Sequence, residues 1–326
     1  VRILVTGGAG FIGSHFVRQT LSGRYPEYAG ADVVVLDKLT YAGNEANLAP
    51  VAASRRLRFV RGDICDGPLV GGLMRGTDLV VHFAAESHVD RSIAGSAEFV
   101  TTNVVGTHTL LQAATDAAVP KFVHVSTDEV YGSIDSGSWT EEEPLRPNSP
   151  YSASKASSDL LARAYHRTHG LPVCITRCSN NYGPYQFPEK LLPLFVTNLM
   201  DGIRVPLYGD GGNVRDWLHV DDHCQGIALV AQDGEPGQVY NIGGGTELTN
   251  RAFAARLLDA FGLDTSMVEQ VPDRKGHDRR YSVNIDKISS RLGYAPRVSF
   301  DDGLAATIRW YKENRAWWEQ LKKPNG

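Results

Sequence analysis

Cysteine is scarce in this chain: Cys65, Cys174, Cys178 and Cys224 are the only four among 326 residues. No two are spaced Cys-x-x-Cys, and four thiols are too few to staple a chain this long. A disulfide framework is therefore excluded, and reduced thiols in a cytoplasmic protein are expected. Long apolar runs are missing too; none approaches the roughly 18 residues that a bilayer-spanning helix needs. The opening Val1-Arg2-Ile3-Leu4-Val5 reads as a strand rather than a secretory signal. Positive charge is not in excess. A net charge of −4 leaves no general attraction for nucleic acid or an anionic membrane, so an anionic ligand needs a local basic cluster. Histidine and cysteine nowhere gather at metal-ligand spacing. His82 and His88 lack a third partner and read as structural, so no metal is expected. Internal repeats, low-complexity tracts and charge blocks are absent.

What is present is an alternation. Short β-branched runs (Arg2–Thr6, Asp32–Asp37, Leu57–Arg61, Asp78–Ala84, Lys121–Ser126, Pro172–Arg177) alternate with amphipathic stretches such as Phe99–Ala118 and Pro150–His169. Several runs are almost wholly apolar, as strands buried on both faces are. The pattern predicts an α/β fold: a doubly wound parallel sheet with helices on both sides. Beyond about residue 179 the rhythm breaks into loops rich in Pro, Gly and Asn. We expect a domain over 1–178 and a smaller C-terminal α+β substrate domain over 179–326, with segments near 216–241 returning to the sheet.

The first run leads into Gly7-Gly8-Ala9-Gly10-Phe11-Ile12-Gly13, which contains Gly-x-Gly-x-x-Gly between a strand and a helix. Glycine allows the tight turn and lets a pyrophosphate approach the helix N-terminus, where free N–H groups favour anions. The second run ends at Asp37, 24 residues past Gly13. An acid there accepts the adenosine ribose hydroxyls and repels a 2′-phosphate, which favours NAD over NADP. Asp63-Ile64 and Phe83-Ala84-Ala85 end the next two runs, at the edge where ligands of such sheets sit.

Tyr151 and Lys155 form Tyr-x-x-x-Lys and share a helix face. Ser149-Pro150 reads as the cap and first position of that helix. The positive helix end and the Lys155 ammonium both favour a phenolate, so Tyr151 is expected to serve as a base near neutral pH. Asp128 and Glu129 follow Ser126-Thr127 at a strand end. Such a pair is commonly a solvated turn. In a closed site, adjacent carboxyls cannot easily both ionise, which yields one acid and one base, as an elimination of water requires.

Taken together, the glycine turn, the strand-end Thr127 and Tyr-x-x-x-Lys resemble the extended short-chain dehydrogenase/reductase family, and imply a Rossmann-type sheet. Ala84–Ser92, Ser126–Gly132, Arg177–Tyr185 and Asp273–Asp278 resemble more narrowly the dTDP-glucose 4,6-dehydratases. The resemblance implies tightly bound NAD, with Gly7, Gly10, Phe11, Ile12, Gly13, Asp37, Lys38, Thr40, Asp63, Ile64, Phe83, Ala84, Ala85, Thr102, Tyr151, Lys155 and Asn181 around it. It implies Thr127, Asp128, Glu129, Tyr151 and Lys155 as catalytic residues. Tyr151 takes the proton of the sugar C4 hydroxyl, Glu129 that of C5, and Asp128 protonates the leaving C6 hydroxyl. It implies a nucleotide-sugar partner, dTDP-glucose, against Ser87, Thr127, Asn180, Lys190, Leu191, Pro206, Tyr208, Arg215, Asn250, Arg274 and His277, the last without a derivable role. A homodimer through the Phe99–Ala118 and Pro150–His169 helices is also implied. The competing readings are a nucleotide-sugar 4-epimerase, a decarboxylase, and a non-catalytic NAD-binding regulator. The first two do not need the Asp128–Glu129 pair, and the third does not need Thr127, Tyr151 and Lys155.

Overall fold

The structure, a computed structural model, describes residues 1–322. Its strands are β1 (Arg2–Thr6), β2 (Asp32–Asp37), β3 (Leu57–Arg61), β4 (Leu79–His82), β5 (Lys121–Thr127), β6 (Val173–Cys178), β7 (Asn180–Tyr182), β8 (Val205–Tyr208), β9 (Val214–His219), β10 (Val239–Ile242), β11 (Glu247–Thr249) and β12 (Val268–Val271). Seven of them form one sheet in the order β10-β6-β5-β4-β1-β2-β3, every pair parallel. Alternate residues of β1 enter opposite cores. Ile3 and Val5 pack with Phe16 and Val17 of the helix Phe11–Leu21 on one face; Leu4 packs with Leu110 and Leu111 on the other. Burial on both faces explains the apolar runs. Each fully buried side chain of this kind contributes about 1.5–3 kcal/mol.

The strand order reverses between β1 and β4, which opens a crevice at their carboxyl ends. Beyond Cys178 the chain builds two smaller sheets, β11-β9-β7 and β12-β8. It also returns to the large sheet as β10, beside β6. The smaller unit has its own core, in which Trp217 stacks on Phe253 at 4.3 Å.

Two helices differ in regularity. Pro150–His169 starts on a Ser149–Ser152 capping box with Pro150 in its first turn and ends at Gly170, φ 70°. The stretch read as one helix over Phe99–Ala118 is instead Ala97–Phe99, a π-helical turn Val100–Gly106, and Thr107–Asp116. The cause lies at Asn103. Its carbonyl accepts the Ser158 hydroxyl at 2.6 Å, and its side chain accepts the Glu86 N–H at 2.9 Å. Side chains that draw backbone groups out of the i→i−4 ladder widen a helix locally. The run Asp78–Ala84 pairs only over Leu79–His82, because from Ala84 the backbone turns under Gly7.

Candidate active site

The glycine turn is built to leave space. Gly7 has φ 70°, and a Cβ there would lie 2.6 Å from the backbone nitrogen of Ala84. A Cβ on Gly13 would collide with the Gly7 carbonyl oxygen. The helix Phe11–Leu21 has no side-chain cap at Gly10 and no acid in its first turn. Its N–H groups are therefore left for an anion, which fits a dinucleotide pyrophosphate. Asp37 ends β2 beside this turn and is buried.

A cavity of about 310 Å³ runs from that turn along the strand ends. Thr127, Asp128, Glu129, Tyr151 and Lys155 line it, as does every residue expected around the cofactor, from Gly7 to Thr102 and Asn181. Ser87, Asn180 and Lys190 line it as well. Arg215, Arg274 and His277 line a smaller cavity of about 80 Å³, and Glu129 and Asn180 belong to both walls. Leu191, Pro206, Tyr208 and Asn250 lie outside both walls. Tyr208 supports the smaller cavity from behind: its ring lies 5.3 Å from the Arg274 guanidinium and 6.2 Å from His277. Leu191 packs on the second core, Pro206 sits in β8 opposite Glu269, and Asn250 is buried with its amide oxygen unpaired.

The two acids occupy contrasting surroundings. They sit in a 3₁₀ turn, Asp128–Tyr131, capped by Thr127, whose hydroxyl accepts the Glu129 N–H and donates to Asp128 Oδ1, each at 3.3 Å. Burial pushes the Asp128 carboxyl well above the usual range, and the neighbouring carboxylates Glu129 and Asp216 push it further. Burial raises Glu129 too, but Lys190, Arg215 and Arg274 oppose the rise. Both carboxyls are raised; Arg215 acts on both, but carboxylates lead among the charges around Asp128 and cations among those around Glu129.

Tyr151 stands buried among acidic groups. Burial pushes it well above its ordinary value, with Glu129, Cys178 and Asp128 adding to the rise and the Thr127 hydroxyl opposing it. The Lys155 ammonium, on the same helix, donates to the Val125 carbonyl at 2.8 Å. Burial lowers Lys155 itself to about 8, against the pull of Asp159 and Cys178. Positive charge brought into the cavity favours a phenolate at Tyr151.

The basic residues are held by identifiable partners. Lys190 donates to the Ser87 carbonyl at 2.6 Å. Arg215 donates to the Asp278 carbonyl at 3.0 Å and lies 4.2 Å over the Tyr281 ring. Arg274 is paired with Asp90 at 2.6 Å. His277 is paired with Asp273 at 2.7 Å. His82 is engaged by Thr6 at 2.7 Å and Thr107 at 3.0 Å, and His88 caps the helix Val89–Ala94.

Sequence reasoning missed Tyr41, Gln186, Phe187 and Glu189 in the larger wall and Tyr281 in the smaller. These sit on connecting loops, and no spacing rule singles them out. Glu86 and Asp278 lay inside the matched stretches, where adjacency to a motif was the available signal.

The model of the GDP-mannose 4,6 dehydratase family matches residues 4–307. The dTDP-glucose 4,6-dehydratase of Streptomyces niveus is 61% identical over all of this chain and 97% of its own. A solved dTDP-glucose 4,6-dehydratase from Streptomyces venezuelae, with NAD bound, is 69% identical at a TM-score of 0.98, covering 99% of this chain and all of that one. A UDP-glucose 4-epimerase from Thermotoga maritima shares the fold at a TM-score of 0.88 but only 31% identity, over 97% of this chain and all of that one. With twice the identity to the dehydratases, and the Asp128–Glu129 pair set beside Tyr151 on one cavity wall, the chain belongs to the dTDP-glucose 4,6-dehydratase family.

Proposed function

We propose that this protein is an NAD-dependent hydro-lyase that converts dTDP-glucose to dTDP-4-keto-6-deoxyglucose and water. The observation that carries the reading is that Asp128 and Glu129 line one cavity with Tyr151, carboxylates leading among the charges around the first acid and cations around the second. When bound, NAD accepts a hydride from C4 and returns it to C6. Tyr151 takes the C4 hydroxyl proton, and Lys155 holds the nicotinamide ribose. A nicotinamide cation held beside Tyr151 by Lys155 would favour the phenolate. Once C4 is a ketone, Glu129 removes the acidified C5 proton while Asp128 protonates the C6 hydroxyl, and water leaves. Glu129 then returns its proton to C5.

One turnover leaves Tyr151 a proton richer and Asp128 a proton poorer. The Thr127 hydroxyl, 3.3 Å from Asp128 Oδ1, stands on the route by which that proton is returned. Arg215, Arg274 and Lys190 take the diphosphate, with Arg274 exchanging Asp90 for phosphate oxygens. In this reading residues 1–178, with the returning β10, form the NAD-binding domain, and 179–326 supply the nucleotide-sugar site.

The decisive test is Glu129→Gln with dTDP-glucose in deuterated water. Reduction of the cofactor should persist while deuterium incorporation at C5 disappears. Wild-type incorporation would remove Glu129 from the role of base.

A further inference from the structure

Tyr151 and Lys155 ride on the helix Pro150–His169, and Asp128 and Glu129 on the turn Asp128–Tyr131. Nothing in either segment alone fixes the distance between the two pairs. The segments pack directly, Ala156 of the helix against Val130 and Tyr131 of the turn, and one further buried side chain hydrogen-bonds to both. Arg177, 1% exposed, sits in β6 with Ser126 of β5 and Asn241 of β10 as its register partners. Its Nε donates to Asp159 Oδ2 at 2.8 Å, on the helix, one turn beyond Lys155. Its Nη1 donates to the Tyr131 hydroxyl at 2.8 Å, in the turn, two residues beyond Glu129.

Both contacts are themselves anchored. The Tyr131 hydroxyl donates onward to Asn241 Oδ1 at 2.8 Å, and its ring stacks on Trp139 at 5.9 Å. Asp159 lies 3.3 Å from His124. A buried ion pair is an inefficient source of stability, since apolar residues of equal volume do as well. What a guanidinium adds is a planar fork that holds two partners at a fixed angle, which a lysine ammonium does not.

We propose that Arg177 is a positioning residue that sets the oxidising pair (Tyr151 and Lys155) at its working distance from the eliminating pair (Asp128 and Glu129). It acts through Asp159 on one side and Tyr131 on the other. The inference rests on the roles assigned above. Those roles require Tyr151 at C4 and Glu129 at C5, adjacent carbons of one ring. A turn displaced by about 1 Å leaves oxidation intact and slows proton abstraction on the order of 100-fold.

Tyr131→Phe removes one hydroxyl and keeps the ring between Arg177 and Trp139. Arg177→Lys keeps a charge against Asp159 but does not span both partners. In stopped-flow mixing with dTDP-glucose, both variants should form reduced nicotinamide at close to the wild-type rate. The absorbance should then persist, with C5 deuterium exchange slowed about tenfold or more. The double variant should slow exchange no further than Arg177→Lys alone, because both changes cut one linkage. If Tyr131→Phe instead scales oxidation and exchange down together, or changes only the melting temperature, the positioning role is overturned. Glu129→Gln run alongside separates the two levels of the argument: wild-type exchange in that variant fails the assignment of the base, not the linkage.

Discussion

Asp37 accepts the backbone N–H of Ala9 at 2.9 Å, so the acid at the end of β2 is part of the glycine turn's own structure. Its other oxygen accepts the Leu39 N–H at 2.8 Å. Both oxygens retain a lone pair for ribose hydroxyls. Asp37→Asn offers one acceptor where two N–H groups compete. Hydrogen bonds to charged groups are worth about 1.5–3 kcal/mol, so NAD affinity should fall roughly 10- to 100-fold. Equilibrium titration of the stripped protein checks this, and an unchanged Kd would count against Asp37.

Asp128→Asn should separate stability from chemistry. Burial raises the Asp128 carboxyl well above its ordinary range, so folding at neutral pH takes up a proton that the amide, of matching size and polarity, does not need. We expect the unfolding free energy in urea at pH 7 to rise, while dehydration falls about 10²- to 10⁴-fold with the loss of general acid catalysis. A large loss of stability would show that Asp128 is ionised instead.

Lys155 gives a pH dependence whose sign is fixed. Burial lowers it to about 8, below its unfolded value of 10.5. The unfavourable burial of the ammonium is fully present below pH 8. Between about 8 and 10.5 the unfolded chain binds the extra proton, so this group's contribution to stability rises with pH. The stability gained by Lys155→Met should therefore shrink from pH 7 to pH 10, measured by denaturant unfolding of the stripped protein. Activity should move the other way, because the ribose contact needs the cation: turnover should decline above pH 8 in wild type.

Homodimerisation is proposed through the face shared by the π-helical turn and the helix Pro150–His169. Val100, Val105 and Leu160 stand out there at 51%, 49% and 55% exposure. Leu160→Glu sets a like-charge pair at the centre of a two-fold contact. Light scattering should fall from the mass of two chains to that of one. A wild-type mass of one chain at micromolar concentration would refute the interface.

Local rules carried much of this protein in the sequence. Gly7, Gly10 and Gly13 marked a cradle because only glycine lacks the Cβ that would fill it. Ser149-Pro150 marked a helix start through cap chemistry, and the apolar runs marked doubly buried strands. The Val100–Gly106 π turn was not legible, because it arises when Ser158 and Glu86, distant in sequence, draw on Asn103. The surroundings of Tyr151 were not legible either: spacing brought Lys155 to its helix face, but not the acidic groups around the phenol or the Val125 carbonyl that the ammonium meets.

What the sequence determined by itself is the inventory: which residue types sit at strand ends and helix starts, and so which chemistry is available. The tertiary structure alone decided how those groups are charged and spaced. Asp128 and Glu129 are adjacent in sequence and share Arg215, yet Glu129 and Asp216 lead among the charges around the first, and Lys190, Arg215 and Arg274, far along the chain, around the second. Arg177 reads in sequence as one more strand-end arginine. Only the parallel register of β5, β6 and β10 sets it between Asp159 and Tyr131. Electrostatic energy depends on distance and burial, and both are fixed by packing among residues that the chain keeps far apart.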